Sequence, residues 1–325
     1  VYYKELTGSS GTAITKEMNN LIQKNNIDVP MRGTSADKAL ADMSGKHNES
    51  GVVAYLAPED SPGYDEAMTL HSKNTKMLHK LGGDTYKSDE SNKKLAETIK
   101  SSLPPNSTIV NAVNTGGLGK QKLKDLYGID ERVDPTDLLV EYLDDKGNKK
   151  RMKISAKAYS DPTKINMKNA GTKDVGETYL GDTSFDNEFK DVLAKNQWSE
   201  DGISDEEVSD RKLAVKKWFN KEFGNRVIGL TETKEGQEQL LGMWQKVHGC
   251  GSNTHTSIVN KKTGDVELRD PGYYCNPSMP FSAKVEGSRL VIDLGTEGKS
   301  FLELTLKTET KAKNPVLLFF NRQKK

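Results

Sequence analysis

Asp137, Ser155 and Lys157 are the residues of this chain whose types and spacing could do chemistry together. Hydrolysis of a phosphodiester needs a hard cation to polarise the phosphate and activate water, and a donor or cation close to the attacking water. A carboxylate meets the first need and a lysine the second. Asp137 follows Pro135 and Thr136 and opens an apolar run, DLLVEYL. Lys157 lies near the end of the next run, KRMKISAKAY, and 19 residues separate it from Asp137. The intervening DDKGN carries turn residues, so the two runs read as a β-hairpin. A hairpin brings the start of its first strand to the end of its second. Alternation then places Asp137, Leu139 and Glu141 on one face, with Ser155 and Lys157 together on a face of the partner strand.

The Pro-Thr-Asp of residues 135–137 and the Ile-Ser-Ala-Lys of 154–157, on either side of a hairpin, resemble the PD-(D/E)XK nuclease superfamily, the fold of many restriction, repair and phage nucleases. In that family an acid at a strand start binds Mg²⁺ and an acid–x–Lys follows on the next strand. This chain departs from the pattern at Ser155, which stands where the second acid would be. Members with such a gap recruit an acid from a neighbouring helix, and Glu49, in GKHNE, resembles that helix glutamate; Glu141 and Asp134 are reserves. The resemblance spans roughly residues 36–170. It implies a restriction-endonuclease-like core, a central mixed sheet flanked by helices. It also implies a site of Asp137, Glu49, Ser155 and Lys157 in which Mg²⁺, replaceable by Mn²⁺, binds Asp137, Glu49 and the Ala156 carbonyl. The expected activity is endonucleolytic cleavage of double-stranded DNA by a restriction-type or phage-encoded enzyme. A homodimer would match the two-fold symmetry of a duplex. A non-catalytic DNA-binding or assembly protein with a decayed site is the alternative, and Ser155 is its support.

Other segments offer partners or rivals. Lys153, in the basic stretch 146–157, and Lys164, Lys168, Asn169 and Lys173, in KINMKNAGTK, could contact phosphates. The Gly-rich NTGGLGKQK at 114–122 lacks the GxxxxGK spacing and the following Ser or Thr of a nucleotide-binding loop, and reads as a flexible loop. HGCGSNTH at 248–255, with Cys275, offers a His-x-Cys-x₄-His set for zinc or a Cys250–His255 nucleophile pair, although its spacing matches no standard finger.

The elements that must position these residues fall into blocks. An amphipathic helix is read at 14–23. Helices follow near 37–56, 64–81 and 89–101, bounded by Thr34 and Ser35, the PEDSPG run, Gly82-Gly83 and Pro104-Pro105. A β-like run at 108–113 precedes the hairpin. Helices are expected at 184–196, 204–223 and 234–247, then strands at 254–260, 265–269, 289–294, 300–308 and 316–321. Helices, a central hairpin, helices and antiparallel strands describe an α+β chain with a helical insertion and a β-rich C-terminal part. The expected organisation is an N-terminal extension at 1–35, a nuclease-like core at 36–183, a helical segment at 184–250 and a β-rich region at 251–325.

Composition sets outer bounds. At 325 residues the chain can bury a sizeable core, and 34% apolar against 29% charged residues is polar without being disordered. With 48 basic and 47 acidic residues, no global basic charge draws the chain to nucleic acid, so any such attraction must be local. No run approaches the roughly 20 apolar residues of a membrane helix. The opening VYYKELTGSS has no apolar core of a leader peptide. Two cysteines are too few for a disulfide framework, so a reducing, cytoplasmic setting is expected.

Overall fold

The computed structural model describes residues 34–61, 63–117, 120–130, 134–159, 161, 163–196, 205–287, 289–294, 300–308 and 315–323. The helix expected at 14–23, and the extension at 1–35 but for its last two residues, lie outside them. The class is α+β. The chain divides into two compact units: residues 1–119, 137–156 and 261–268 form the first, and 120–136, 157–260 and 269–325 the second.

The first unit layers helices on an antiparallel meander. Helix α1 (Thr34–Leu56) packs on α2 (Tyr64–Lys80) and α3 (Thr85–Ser102) and reaches strand β1 (Thr108–Asn114). Asp84 caps α3 by accepting the Lys87 N–H at 2.9 Å, one of the donors every helix start leaves unpaired. The apolar part of the layer holds Val52, Val53, Leu56, Leu78, Leu95 and Ile99, each at most 3% exposed. Its other part is polar, since His47, Asn48, Ser50, His71, Asn74, Ser91 and Asn92 are buried too.

Strand β1 pairs antiparallel with β2 (Leu138–Leu143), and β2 with β3 (Lys149–Tyr159), in the register Leu138↔Ile154 through Leu143↔Lys149. The expected hairpin is therefore present. Its turn is set by Asp144, whose carboxylate accepts the main-chain N–H groups of Lys146 and Asn148 at 3.0 and 2.8 Å. Gly147 sits at φ 77°, a conformation that a Cβ would penalise.

The second unit contains α4 (Lys120–Tyr127), β4 (Lys164–Gly171), a π-helical turn (Gly176–Leu180), α5 (Thr183–Lys195), α6 (Asp205–Leu230), α7 (Lys234–Val247) and β5 (Thr254–Asn260). Past β6 (Val266–Arg269), which belongs to the first unit but for Arg269, the second unit continues with β7 (Phe281–Glu286), β8 (Arg289–Leu294), β9 (Ser300–Lys307) and β10 (Val316–Gln323). These last four with β4 make one five-stranded sheet of order β4-β10-β9-β8-β7. KINMKNAG, to which the sequence assigns no element, is strand β4, paired with β10, and Ile165, Met167 and Ala170 on it are buried. KQK at 120–122 opens helix α4 rather than continuing a flexible loop.

The helices cover this sheet through aromatic packing. Phe185, Phe189, Phe219 and Phe223 are all at most 2% exposed, with ring centroids 5.0–6.2 Å apart across α5 and α6. Glu303 on β9 is 1% exposed, yet it is matched by Arg322 at 2.7 Å, Lys164 at 3.1 Å and Arg289 at 3.3 Å. Burial pushes its carboxyl up, and the hydrogen bonds and charges of Arg322 and Lys164 outweigh this and hold it below its usual range.

Candidate active site

Asp137 stands immediately before β2, gripped by main-chain bonds on both sides. Its N–H donates to the Ile154 carbonyl at 2.9 Å, and its carbonyl accepts the Thr115 N–H and hydroxyl, each at 3.0 Å. The backbone is thus clamped between the end of β1 and the body of β3. The carboxylate turns onto β3: Oδ2 accepts the Ala156 N–H at 2.7 Å and the Ser155 hydroxyl at 3.2 Å. Ser155 is 2% exposed, so this pairing is made away from water. Where an acid would add a second carboxylate, the chain instead places a neutral donor on the first.

Lys157 follows two residues past Ser155 on β3, on the same side of the strand by alternation, and is half-buried. Glu49 is half-buried on α1, between the buried Asn48 and Ser50. Lys153 is half-buried on β3. The structure brings Asp137, Ser155 and Ala156 into direct contact.

The reserve acids are otherwise occupied. Glu141 is 3% exposed and meets Arg151 Nε at 3.0 Å, Lys149 Nζ at 3.0 Å and Asn111 Nδ2 at 3.2 Å. Burial raises its pKa, and these hydrogen bonds with the Lys149 charge outweigh burial and lower it. Its charge is answered on the sheet. Asp134 accepts the Thr136 N–H at 3.1 Å, the Thr136 hydroxyl at 2.5 Å and the Thr254 hydroxyl at 3.3 Å, the pattern of a turn acid.

In the second unit, Lys168 on β4 is the lysine whose charge the fold disfavours. Burial lowers its pKa, the Lys157 ammonium lowers it further, and Asp130 and Asp134 act in the opposite direction. Lys157 and Lys168 therefore lie within Coulombic reach of each other. Lys164 holds Glu303 and lies over the Phe320 ring, 4.0 Å from its centroid. Asn169 is exposed on β4 and accepts from Asn166 Nδ2 at 2.8 Å. Lys173 falls in the turn Thr172–Asp174.

The rival centre is overturned. Cys250 and Cys275 are joined in a disulfide. A sulfur bonded to sulfur is neither a thiolate nucleophile nor a zinc ligand, so Cys250 and His255 form no zinc or thiol site. The bond also runs against the reducing compartment expected from the cysteine count. His255 Nε2 lies 4.0 Å from Asp270. His248 is buried between Trp244 and Tyr274, with ring centroids at 4.2 and 5.0 Å.

Sequence reading passed over the closeness of Lys157 to Lys168, and over His47, His71 and Asp89, which three helices bring together. The hidden signal for the lysines was the weak alternation Ile165, Met167, Ala170, which makes a strand of their segment.

No protein-family model and no curated protein matches the chain. Among solved structures, restriction endonuclease MspI in complex with its cognate DNA aligns with 89% of this chain and 100% of its own, at 14% identity and a TM-score of 0.31. No described helix is long and apolar enough to cross a membrane.

Proposed function

We propose that the chain is a metal-dependent endodeoxyribonuclease acting on double-stranded DNA, with Asp137, Lys157 and Glu49 as its chemical groups. The observation that carries this reading is the seating of the Asp137 carboxylate on Ser155 and Ala156 of β3, the strand that also bears Lys157. The donor set fits a hard cation. Asp137 and Glu49 supply carboxylates and Ala156 a main-chain carbonyl, an all-oxygen set that suits Mg²⁺ and accepts Mn²⁺. A carboxylate has about four acceptor directions, so the two donors on Oδ2 are compatible with a cation on the same group. When bound, the ion polarises the phosphate and lowers the pKa of water.

The residues of the chain do the rest. Asp137, clamped by Thr115 and Ile154, keeps its carboxylate in one place through the reaction. Lys157 orients or deprotonates the attacking water and steadies the charge that develops on the phosphate. Lys168, held at a lowered pKa beside Lys157, gives that charge a second ammonium partner. Lys153, Asn169 and Lys173 extend the phosphate contacts along the duplex, and Lys164, paired with Glu303, stiffens the sheet that carries Asn169. A two-fold dimer would present one such centre to each DNA strand.

The test is incubation with supercoiled plasmid in Mg²⁺, Mn²⁺ or EDTA, beside Lys157→Ala and with DNA binding measured in parallel. Wild type should nick or linearise the plasmid only with metal. The variant should lose cleavage by at least about 100-fold, the range of a general acid–base group, while retaining binding. A variant that cuts at the wild-type rate overturns the assignment.

One observation favours a second reading. The Ser155 hydroxyl donates to Asp137 where the family pattern has an acid, as in a DNA-binding protein whose centre has decayed. Absence of Mg²⁺ binding by calorimetry, together with intact DNA binding, would select it.

A further inference from the structure

Each of the three described helices of the first unit contributes one metal-binding side chain to a single buried place. His47 comes from α1, His71 from α2 and Asp89 from α3, and one ligand atom from each lies within 4.8 Å of the others. His47 is 0% and His71 9% exposed. The two ring centroids are 4.8 Å apart, with the planes tilted by 47°.

The hydrogen bonds assign the ring nitrogens. The Thr75 hydroxyl spends its one proton on the His71 carbonyl at 2.8 Å, so toward His47 Nε2, at 3.1 Å, it can only accept. His47 therefore carries its proton on Nε2, and Nδ1, which faces Ser88 Oγ at 2.9 Å, holds the lone pair. His71 Nε2 faces Asp89 Oδ1 at 3.0 Å, and a carboxylate only accepts, so that nitrogen is protonated as well. His71 Nδ1 is left buried with no hydrogen-bond partner. That nitrogen is an acceptor able to take the ring proton when Nε2 gives it up.

Other residues support the cluster in the way partners of metal ligands do. Tyr55 donates its hydroxyl to Asp89 Oδ2 at 2.6 Å and fixes the carboxylate. A Cβ at residue 51 would lie 2.1 Å from Asn92 Nδ2 and 3.0 Å from His71 Cε1, so Gly51 is what lets α1 close onto the rings.

We propose that His47, His71 and Asp89 are the ligands of a structural site for a borderline divalent cation of the Zn²⁺ class, tying α1, α2 and α3 together. Two imidazoles and a carboxylate are a zinc-type set, and with bonds of about 2.0–2.1 Å a nitrogen and an oxygen 3.0 Å apart span one edge of its polyhedron once the ion displaces the proton of His71 Nε2, which passes to the unpartnered Nδ1 of the same ring. A shift of roughly 1 Å by the other ring closes the set around that radius. The site is separate from the oxygen centre. Residues two apart on a helix point about 200° apart, so His47 and Glu49 leave α1 on different sides.

The test uses the whole chain, stripped with chelator and titrated with Co²⁺ and then Zn²⁺, without DNA or Mg²⁺. Wild type should take up one ion per chain, develop visible Co²⁺ bands that Zn²⁺ abolishes, and unfold several degrees higher with metal, as a site coupled to folding must. Asp89→Asn keeps the shape of the side chain and His71→Gln its hydrogen bonding, so with folding verified by circular dichroism both should lose the bands and the thermal rise. Wild type without bands or thermal rise at saturating Co²⁺ overturns the proposal, as do bands of equal strength in folded variants. Lys157→Ala should keep its bands, so failure of the nuclease reading and failure of this one are told apart.

Discussion

His248 shows how far the fold controls a single ionisable side chain. Its Nδ1 donates to the Trp244 carbonyl at 2.8 Å, and its Nε2 is buried without a hydrogen-bond partner. Protonating Nε2 would place an unanswered charge between two aromatic rings. Burial accordingly lowers its pKa to about 4 from 6.5, with the Trp244 carbonyl opposing. The unfolded chain takes up this proton first, so stability is full above about pH 6.5 and falls as pH drops toward 4. A shift of this size is worth about 3 kcal/mol in all. Urea midpoints measured between pH 7 and 4 should fall less steeply for His248→Gln than for wild type. Equal slopes would mean that the ring titrates normally. Ser155 teaches the same lesson in reverse: a small neutral side chain sets the environment of the acid beside it.

At the scale of elements, α7 shows that two glycines in one helix can carry opposite meanings. Gly236 lies in the first turn, where the Thr233 hydroxyl accepts its N–H at 3.0 Å. A Cβ there would meet the Leu230 carbonyl oxygen at 2.1 Å and its Cα at 2.6 Å, backbone atoms at the end of α6 that cannot step aside. Gly242, on the same helix, would present its Cβ to open space. Gly236→Ala should therefore cost about 1–3 kcal/mol by forcing the two helices apart. Gly242→Ala should add about 0.5–1 kcal/mol by lowering the entropy of the unfolded chain. Chemical denaturation of both variants checks the pair, and a stabilising Gly236→Ala would refute the close approach.

For the whole molecule, charge and crosslinking matter most. A net charge of +1 gives no overall pull toward DNA, so the DNA association proposed above rests on local lysines and should weaken steeply with salt. The Cys250–Cys275 disulfide closes a 25-residue separation within the second unit, where it holds the end of α7 to the segment before β7. Restricting a loop of that length in the unfolded chain is worth about 3 kcal/mol. Reductant should lower the thermal midpoint by roughly 6–12 °C, and a Cys250→Ser/Cys275→Ser double variant should match the reduced protein and ignore reductant. A midpoint that reductant leaves unchanged would mean that the bond does not support the fold. Because the chain has two compact units, this shift should be followed by near-ultraviolet signals of Trp244 as well as by overall helicity.

Wherever the determining physics was local, the sequence alone was sufficient. Helix α7 and strand β5 fall at the residues their periodicity predicts, and the hairpin from Asp137 to Lys157 follows from two alternating runs and a DDKGN turn. The α+β class follows from the order of such elements. Strand β4 escaped because its alternation is broken where β10 shifts register, at Phe319 and Phe320, and because β10 lies some 150 residues away. Only tertiary structure settled which acids are answered by cations, as Glu141 is by Lys149 and Arg151. It alone paired the cysteines that sequence reading had left as thiols, and it alone gathered His47, His71 and Asp89. Each of these is a contact between side chains distant in sequence, and local propensity carries no information about which distant residue will be the neighbour.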